Sequence, residues 1–261
     1  IIGGLEKKTK ITTEAERRSI ALHEAGHASI SWLLEYANPL IKVTIVPRGR
    51  ALGAAWYLPE ERQITTKEQM LDEMCATLGG RAAEDLFLNR ISTGAMNDLE
   101  RVTKQAYGMI AYLGMSDKLP NLCYYNNEEY SFNRPYSEKT AELIDTEVKN
   151  MVNEQYERAK KILSEHREGH NQLAQLLIDK EVIFAEDVER IFGKRPWASR
   201  SEEIMAAKES QEAAEAEKRL AEEVKEKEKE IKEEEAENST EEKEATEAKI
   251  TVEGKVSIEK K

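Results

Sequence analysis

Only four histidines occur among 261 residues, yet two of them fall four apart with a glutamate between, in HEAGH at residues 23–27. Residues four apart on a helix lie one above the other, so the imidazoles of His23 and His27 can reach one tetrahedral Zn2+ at about 2.0 to 2.1 Å. Glu24, one residue on, is turned about 100° around the helix, off the ligand edge. That placement suits a base that takes a proton from a water held at the metal. The competing arrangement, two histidines packed in a core without a metal, would bury two imidazoles beside a carboxylate and leave polar groups hard to satisfy.

HREGH, with His166 and His170, has the same spacing but the glutamate at another position. Gly169 is expected to break a helix there, and the neighbours are charged, so this pair is expected to be exposed and without a metal role.

A catalytic zinc needs a third protein ligand and an open position. No further histidine is free for it, which leaves Asp, Glu or, less favoured, Cys, and two carboxylates stand out. Asp98 stands in STGAMNDLE, at a loop-to-helix junction; Glu84 stands in GGRAAEDLF, on a helix containing two adjacent glycines. Spacing alone does not choose between them, and either could be an ordinary helix-start or surface carboxylate.

The elements that must hold these residues follow from local signals. Thr13 and Glu16 have capping-box spacing, so a first helix opens there and carries Ile20, His23, His27, Ile30 and Leu34 on one stripe until Asn38-Pro39 stops it. Ile41–Pro47 and Ala51–Pro59 are β-rich runs around RGR, a hairpin pattern, with a further strand expected around Leu122–Tyr125. A second helix starts at Thr65 or Thr66 and contains Gly79-Gly80, which costs about 1 kcal/mol per glycine and so predicts close approach of another backbone. A third helix ends near Gly114, the polar loop NNEEYSFNRPYS is expected to be mobile, and a long amphipathic helix runs from Ser137 to about His166. Two shorter helices, at NQLAQLLID and AEDVERIF, close the domain. The fold class is therefore mainly α: a helical domain with a small β-hairpin or sheet, followed by a disordered or helical charged tail.

Composition sets the outer bounds. From Ser201 to Lys261 there is no aromatic residue and 21 Glu face 12 Lys and Arg, a net charge of -9 out of -12 for the chain. That segment lacks apolar positions at helical spacing and matches a solubilising tail. The acidic balance argues against a nucleic-acid surface. Cys75 and Cys123 have no second cysteine near them, which suits two thiols in a reducing compartment better than a disulfide or a cysteine zinc site. No apolar run of 18 residues appears, and the sequence is expected to be soluble as given.

Across nearly all of residues 1–193 the sequence resembles the peptidase unit of the membrane-anchored AAA proteases, which include bacterial FtsH and the mitochondrial m-AAA and i-AAA proteases. The resemblance is carried by IIGGLEKKTK, HEAGHA, VTIVPRG, LGAAWYLPE, TKEQMLDEMCATLGGRAAEDL, ISTGAMNDLERVT, YGMIAYLGMSDK and RPYSE. It implies that zinc is held by His23, His27 and Asp98, that Glu24 is the catalytic base, and that Glu84 lies near the metal and supports a histidine ligand. Met96 stands where serine or glutamine is frequent.

The resemblance further implies residues 1–10 as the end of an AAA module and, with the composition, 11–197 as the zinc peptidase domain and 198–261 as an acidic low-complexity tail. The intact protein would be a homo-hexamer with ATP and Mg2+ in an ATPase module absent from this sequence, degrading misfolded or unassembled membrane and soluble proteins. It would be anchored by membrane segments also absent here, in the bacterial inner membrane with the peptidase facing the cytoplasm, or alternatively in the mitochondrial inner membrane. No phosphate loop of the form G-x-x-x-x-G-K-[ST] occurs. A reading from another class is a ring-forming assembly module whose zinc is structural; the glutamate of HEAGH argues against it, since a structural site needs no base.

Overall fold

The computed structural model describes residues 13–47, 53–58, 64–124, 135–197, 204–216 and 218–219. The RGR turn, the chain start and residues 126–134 of NNEEYSFNRPYS lie outside them. The chain divides into two units, 1–199 and 200–261. In the second, residues 204–216 are helical and every described residue is exposed, as a segment of Glu, Lys and Ala without an apolar stripe requires.

In the first unit, helix α1 (Glu14–Leu33) opens on a complete capping box: the Thr13 hydroxyl accepts from Glu16 N–H at 3.2 Å and the Glu16 carboxylate accepts from Thr13 N–H at 2.8 Å. Every residue from Ala21 to Trp32 is buried, so α1 is a central helix covered all round. Its small residues make this possible. Helix α2 (Lys67–Ala83), capped by Thr66 with Gln69, crosses α1 where Gly79 meets Gly26. A Cβ on Gly79 would sit 2.6 Å from the Gly26 carbonyl oxygen, so the glycine in this helix does serve a backbone contact.

Helix α1 ends at Leu33, before the Asn38-Pro39 stop that the sequence suggests. The reason is tertiary. The Arg195 guanidinium donates to the carbonyls of Leu34, Glu35 and Ala37 at 2.9, 3.0 and 2.7 Å, and Asp72 accepts the Tyr36 N–H at 3.1 Å. Those bonds satisfy groups that another helical turn would have paired internally.

Strands β1 (Leu40–Thr44) and β2 (Ala54–Tyr57) are antiparallel, with Val43 opposite Ala55 and Thr44 opposite Ala54. The third strand is β3 (Val182–Phe184), on the other side of β1, giving the order β2-β1-β3. The expected strand at Leu122–Tyr125 is absent over its described residues, where the Tyr124 N–H bonds the Ala111 carbonyl at 2.7 Å; Tyr125 lies outside them. Val43 and Ile183 are fully buried in the core that α1 shares with the sheet.

Beyond α2 the chain widens into a π-helical turn, Glu84–Leu88, which ends at Asn89 in the left-handed region (φ 51). A 3-10 turn, Thr93–Ala95, then leads into α3 (Met96–Tyr107), and α4 (Glu138–Glu165) packs across α2 and α3. Helix α5 (Arg167–Lys180) starts earlier than NQLAQLLID suggests, followed by α6 (Ala185–Phe192).

Gly169 lies inside α5, where the Phe192 ring fills the space a Cβ would occupy, at 2.5 Å. His166 is exposed as expected, but His170 is fully buried, a correction to the sequence expectation. Its ring stacks on Phe87 at 4.1 Å and its Nε2–H donates to the Leu22 carbonyl at 3.1 Å. Among the described residues no helix is long and apolar enough to cross a membrane.

Candidate metal centre

His23 and His27 lie in the middle of α1, 9% and 7% exposed, and their rings meet nearly edge to face at 4.7 Å. Each ring has its Nδ1 engaged elsewhere: His23 Nδ1 lies 2.9 Å from Glu84 Oε1, and His27 Nδ1 lies 3.0 Å from the Ala76 carbonyl oxygen. Both partners accept, so both Nδ1 atoms carry the proton and both Nε2 atoms present lone pairs. Those two Nε2 atoms are 3.0 Å apart, and Asp98 Oδ2 lies 3.3 and 3.5 Å from them.

Three lone-pair donors facing one another at these distances repel unless a positive charge sits between them. Two imidazole nitrogens and a carboxylate oxygen form the donor set that Zn2+ accepts. The residues therefore fit the ion. Among the described residues His23, His27 and Asp98 are the one such convergence of three metal-capable side chains, all their donor atoms within 4.8 Å.

The electrostatics agree. Burial opposes a charge on His23, yet Asp98 and Glu84 outweigh it and push the imidazole up to about 9. Burial likewise works against ionised Glu84, but His23 and two bonds from Ser92 hold it down at about 2. Asp98 is held well below the usual carboxylate range by both histidines, against its own burial. The pocket is thus built to hold positive charge, whether carried by a proton or by a metal ion. Glu24 runs the other way: burial raises its carboxyl above the ordinary value, and the histidines only partly offset that. A divalent cation at the convergence would draw it back down.

The two carboxylates that spacing left open are separated by which imidazole nitrogen they face. Glu84, 3% exposed, lies on the Nδ1 side of His23; Asp98, on the first turn of α3, lies on the Nε2 side of both rings. The 3-10 turn is what brings Asp98 in, and the widened turn after α2 is what places Glu84.

A cleft of about 1020 Å³ opens over this centre, lined by Glu24, Met96, Asp98 and, from β2 and its approach, Gly53, Ala54, Ala55 and Tyr57. Gly53 is a site residue that the sequence reading missed. A Cβ there would lie 2.6 Å from Glu24 Oε1, so only glycine leaves the carboxylate its place. Gly80 does the same for His23, whose Nε2 would lie 2.4 Å from an added Cβ. Ser92 and Arg81, which bind Glu84 or its surroundings, were also missed; a serine just before a short helical turn was the available signal.

Known proteins resemble the chain over most of its length. A family model described as Peptidase family M41 matches residues 10–191. The ATP-dependent zinc metalloprotease FtsH of Parabacteroides distasonis is 72% identical over 211 residues, 80% of this chain and 31% of that protein. The ATP-dependent zinc metalloprotease FTSH 10, mitochondrial, of Arabidopsis thaliana is 50% identical over 200 residues, 76% of this chain and 24% of that protein. The mouse (Mus musculus) mitochondrial inner membrane m-AAA protease component AFG3L2 is 44% identical over 203 residues, 77% of this chain and 25% of that protein. The chain thus spans a third or less of the length of these relatives. With the H-E-x-x-H helix, the converging aspartate and a family match over most of its length, the chain belongs to peptidase family M41.

Proposed function

We propose that this chain is the proteolytic part of an ATP-dependent zinc endopeptidase, with His23, His27 and Asp98 as zinc ligands, Glu24 as general base and Glu84 orienting His23. The observation that carries the proposal is the convergence of two Nε2 atoms and one carboxylate oxygen on the floor of an open cleft, beside the glutamate of H-E-x-x-H. An open cleft above three donors favours a catalytic zinc over a structural one, which four protein ligands would enclose.

Zinc bound there would lower the pKa of a coordinated water and polarise the scissile carbonyl. Glu24 takes the proton of the attacking water and passes it to the leaving amine, the two halves of general base and general acid work. Burial against Gly53 holds its carboxylate in one position for both transfers. Glu84 and the Ala76 carbonyl keep both histidines in the Nδ1–H form, so that each presents Nε2 to the ion. Among the described residues strand β2 pairs with β1 on one side only, and its residues line the cleft. An extended substrate pairing with that edge would be held by its main chain, which tolerates many sequences.

Residues 1–10 would close an AAA module, 11–197 form the peptidase domain and 198–261 the acidic tail. The whole protein would assemble as a homo-hexamer, take ATP and Mg2+ in that module, and degrade misfolded or unassembled membrane and soluble proteins. It would sit in the bacterial inner membrane with the peptidase in the cytoplasm, or alternatively in the mitochondrial inner membrane, where the name of the mouse relative places that protein. The test is hydrolysis of an unfolded, dye-quenched protein by this chain and by Glu24→Gln, each with its zinc content measured. Cleavage by the parent alone, with one zinc per chain in both, is expected; cleavage by both would remove Glu24 from the mechanism.

A further inference from the structure

We infer that Ser92 is a positioning residue of the metal centre, joining through the single carboxylate of Glu84 the helix that carries both histidines to the turn that delivers Asp98. The inference rests on the zinc reading of His23, His27 and Asp98. Glu84 Oε1 accepts from His23 Nδ1–H at 2.9 Å and from the Ser92 hydroxyl at 2.7 Å, while Oε2 accepts the Ser92 N–H at 2.8 Å. One carboxylate is thereby shared between α1 and residue 92.

Ser92 does a second thing with the same hydroxyl. Its Oγ accepts the Gly94 N–H at 3.1 Å and so caps the 3-10 turn Thr93–Ala95, which runs without interruption into α3 and Asp98. The Ser92 carbonyl is in turn fixed by the Arg81 guanidinium at 2.9 Å, from the last turn of α2. The chain from His23 to Asp98 is therefore His23 Nδ1, Glu84, Ser92 Oγ, Gly94 N, and one helical turn. Every link is a hydrogen bond of ordinary length or a rigid piece of backbone.

The consequence is geometric. The spacing of the third ligand from the first two is set by a bridge on the far side of the His23 ring. Removing the hydroxyl leaves Glu84 with the residue 92 N–H, His23 and the more distant Arg81 guanidinium at 3.9 Å, and leaves the turn before Asp98 uncapped. Groups one step behind the ligands carry about 10- to 100-fold of metal affinity when they are lost.

The experiment is competition for zinc between the 261-residue chain and a chelator, with the urea midpoint of the metal-free protein measured alongside. Ser92→Ala is expected to bind zinc about 10- to 100-fold more weakly with little change in midpoint, and Ser92→Thr, which keeps the hydroxyl, to bind within a few-fold of the parent. Arg81→Gln should weaken zinc in the same direction. Because Ser92 acts through Glu84, adding Ser92→Ala to Glu84→Gln should weaken zinc by less than the product of the two single effects. Parent-like zinc affinity in Ser92→Ala, an equal loss in Ser92→Thr, or fully multiplicative effects would each overturn the inference and leave the zinc reading standing. A parent that takes up no zinc, or binds it as tightly after Asp98→Ala, would overturn the zinc reading and this inference with it.

Discussion

At the scale of single residues, the site is governed by which atom of each ring is already spoken for. Glu84 and the Ala76 carbonyl accept hydrogen bonds from the two Nδ1–H groups, and the two Nε2 atoms are left 3.0 Å apart with Asp98 beside them. Glu24→Gln should therefore lose about 10²- to 10⁴-fold in turnover while zinc content stays at one per chain, since the amide cannot take a proton but touches no ligand. Gly53→Ala should lower turnover with zinc retained, because the three atoms nearest its Cβ all belong to the Glu24 side chain; a parent-like rate constant would show that Glu24 has room to move. HEAGH was legible from four or five letters of sequence, because helical spacing alone brings His23 and His27 together. Asp98 was not separable from Glu84 on spacing, since the choice depends on two turns of irregular helix that no periodicity announces.

At the scale of elements, local signals worked where the stabilising contact is itself local. The Thr13 and Thr66 caps form as their spacing predicts, and Gly79 packs backbone to backbone on Gly26. They failed where the contact is distant. Arg195 ends α1 from the far end of the domain, β3 is three residues long, and His170 is buried only because Phe87 and Leu22 come to it. Two predictions belong here. Gly79→Ala should force α1 and α2 apart and cost about 1 to 3 kcal/mol in a urea titration, as overpacking does; an unchanged midpoint would mean the crossing is loose.

The second concerns pH. Burial lowers His170 from 6.5 to about 4, so between those values the unfolded chain binds a proton that the native state refuses. Its contribution is complete above pH 6.5 and is lost as pH falls to 4, a difference of about 3 kcal/mol. Metal-free His170→Phe, which keeps a ring against Phe87, should show a correspondingly flatter fall in stability across that window. A parallel fall in both proteins would place the titrating group elsewhere.

At the scale of the whole molecule, the helical domain supplies a cleft and an edge strand but no phosphate loop is present in the sequence. The chain alone should digest unfolded protein and leave a stably folded one intact, in an assay that follows both substrates by gel. ATP-independent digestion of the folded substrate would contradict the proposal that unfolding is supplied by a separate module. Zinc held by the proposed ligands would tie α1 to α3, so a chelator should abolish hydrolysis and lower the melting temperature, with about 2.7 kcal/mol returned when zinc is restored at 100 times its dissociation constant.

The proposed centre is two imidazoles and one carboxylate around a single ion. Zinc-edge X-ray absorption of the loaded chain tests that most directly. The expected spectrum has two imidazole nitrogens and further oxygen neighbours at about 2.0 to 2.2 Å and no sulfur, with one oxygen contribution lost or altered in Asp98→Ala. A sulfur neighbour at about 2.3 Å, or a spectrum unchanged by Asp98→Ala, would contradict it.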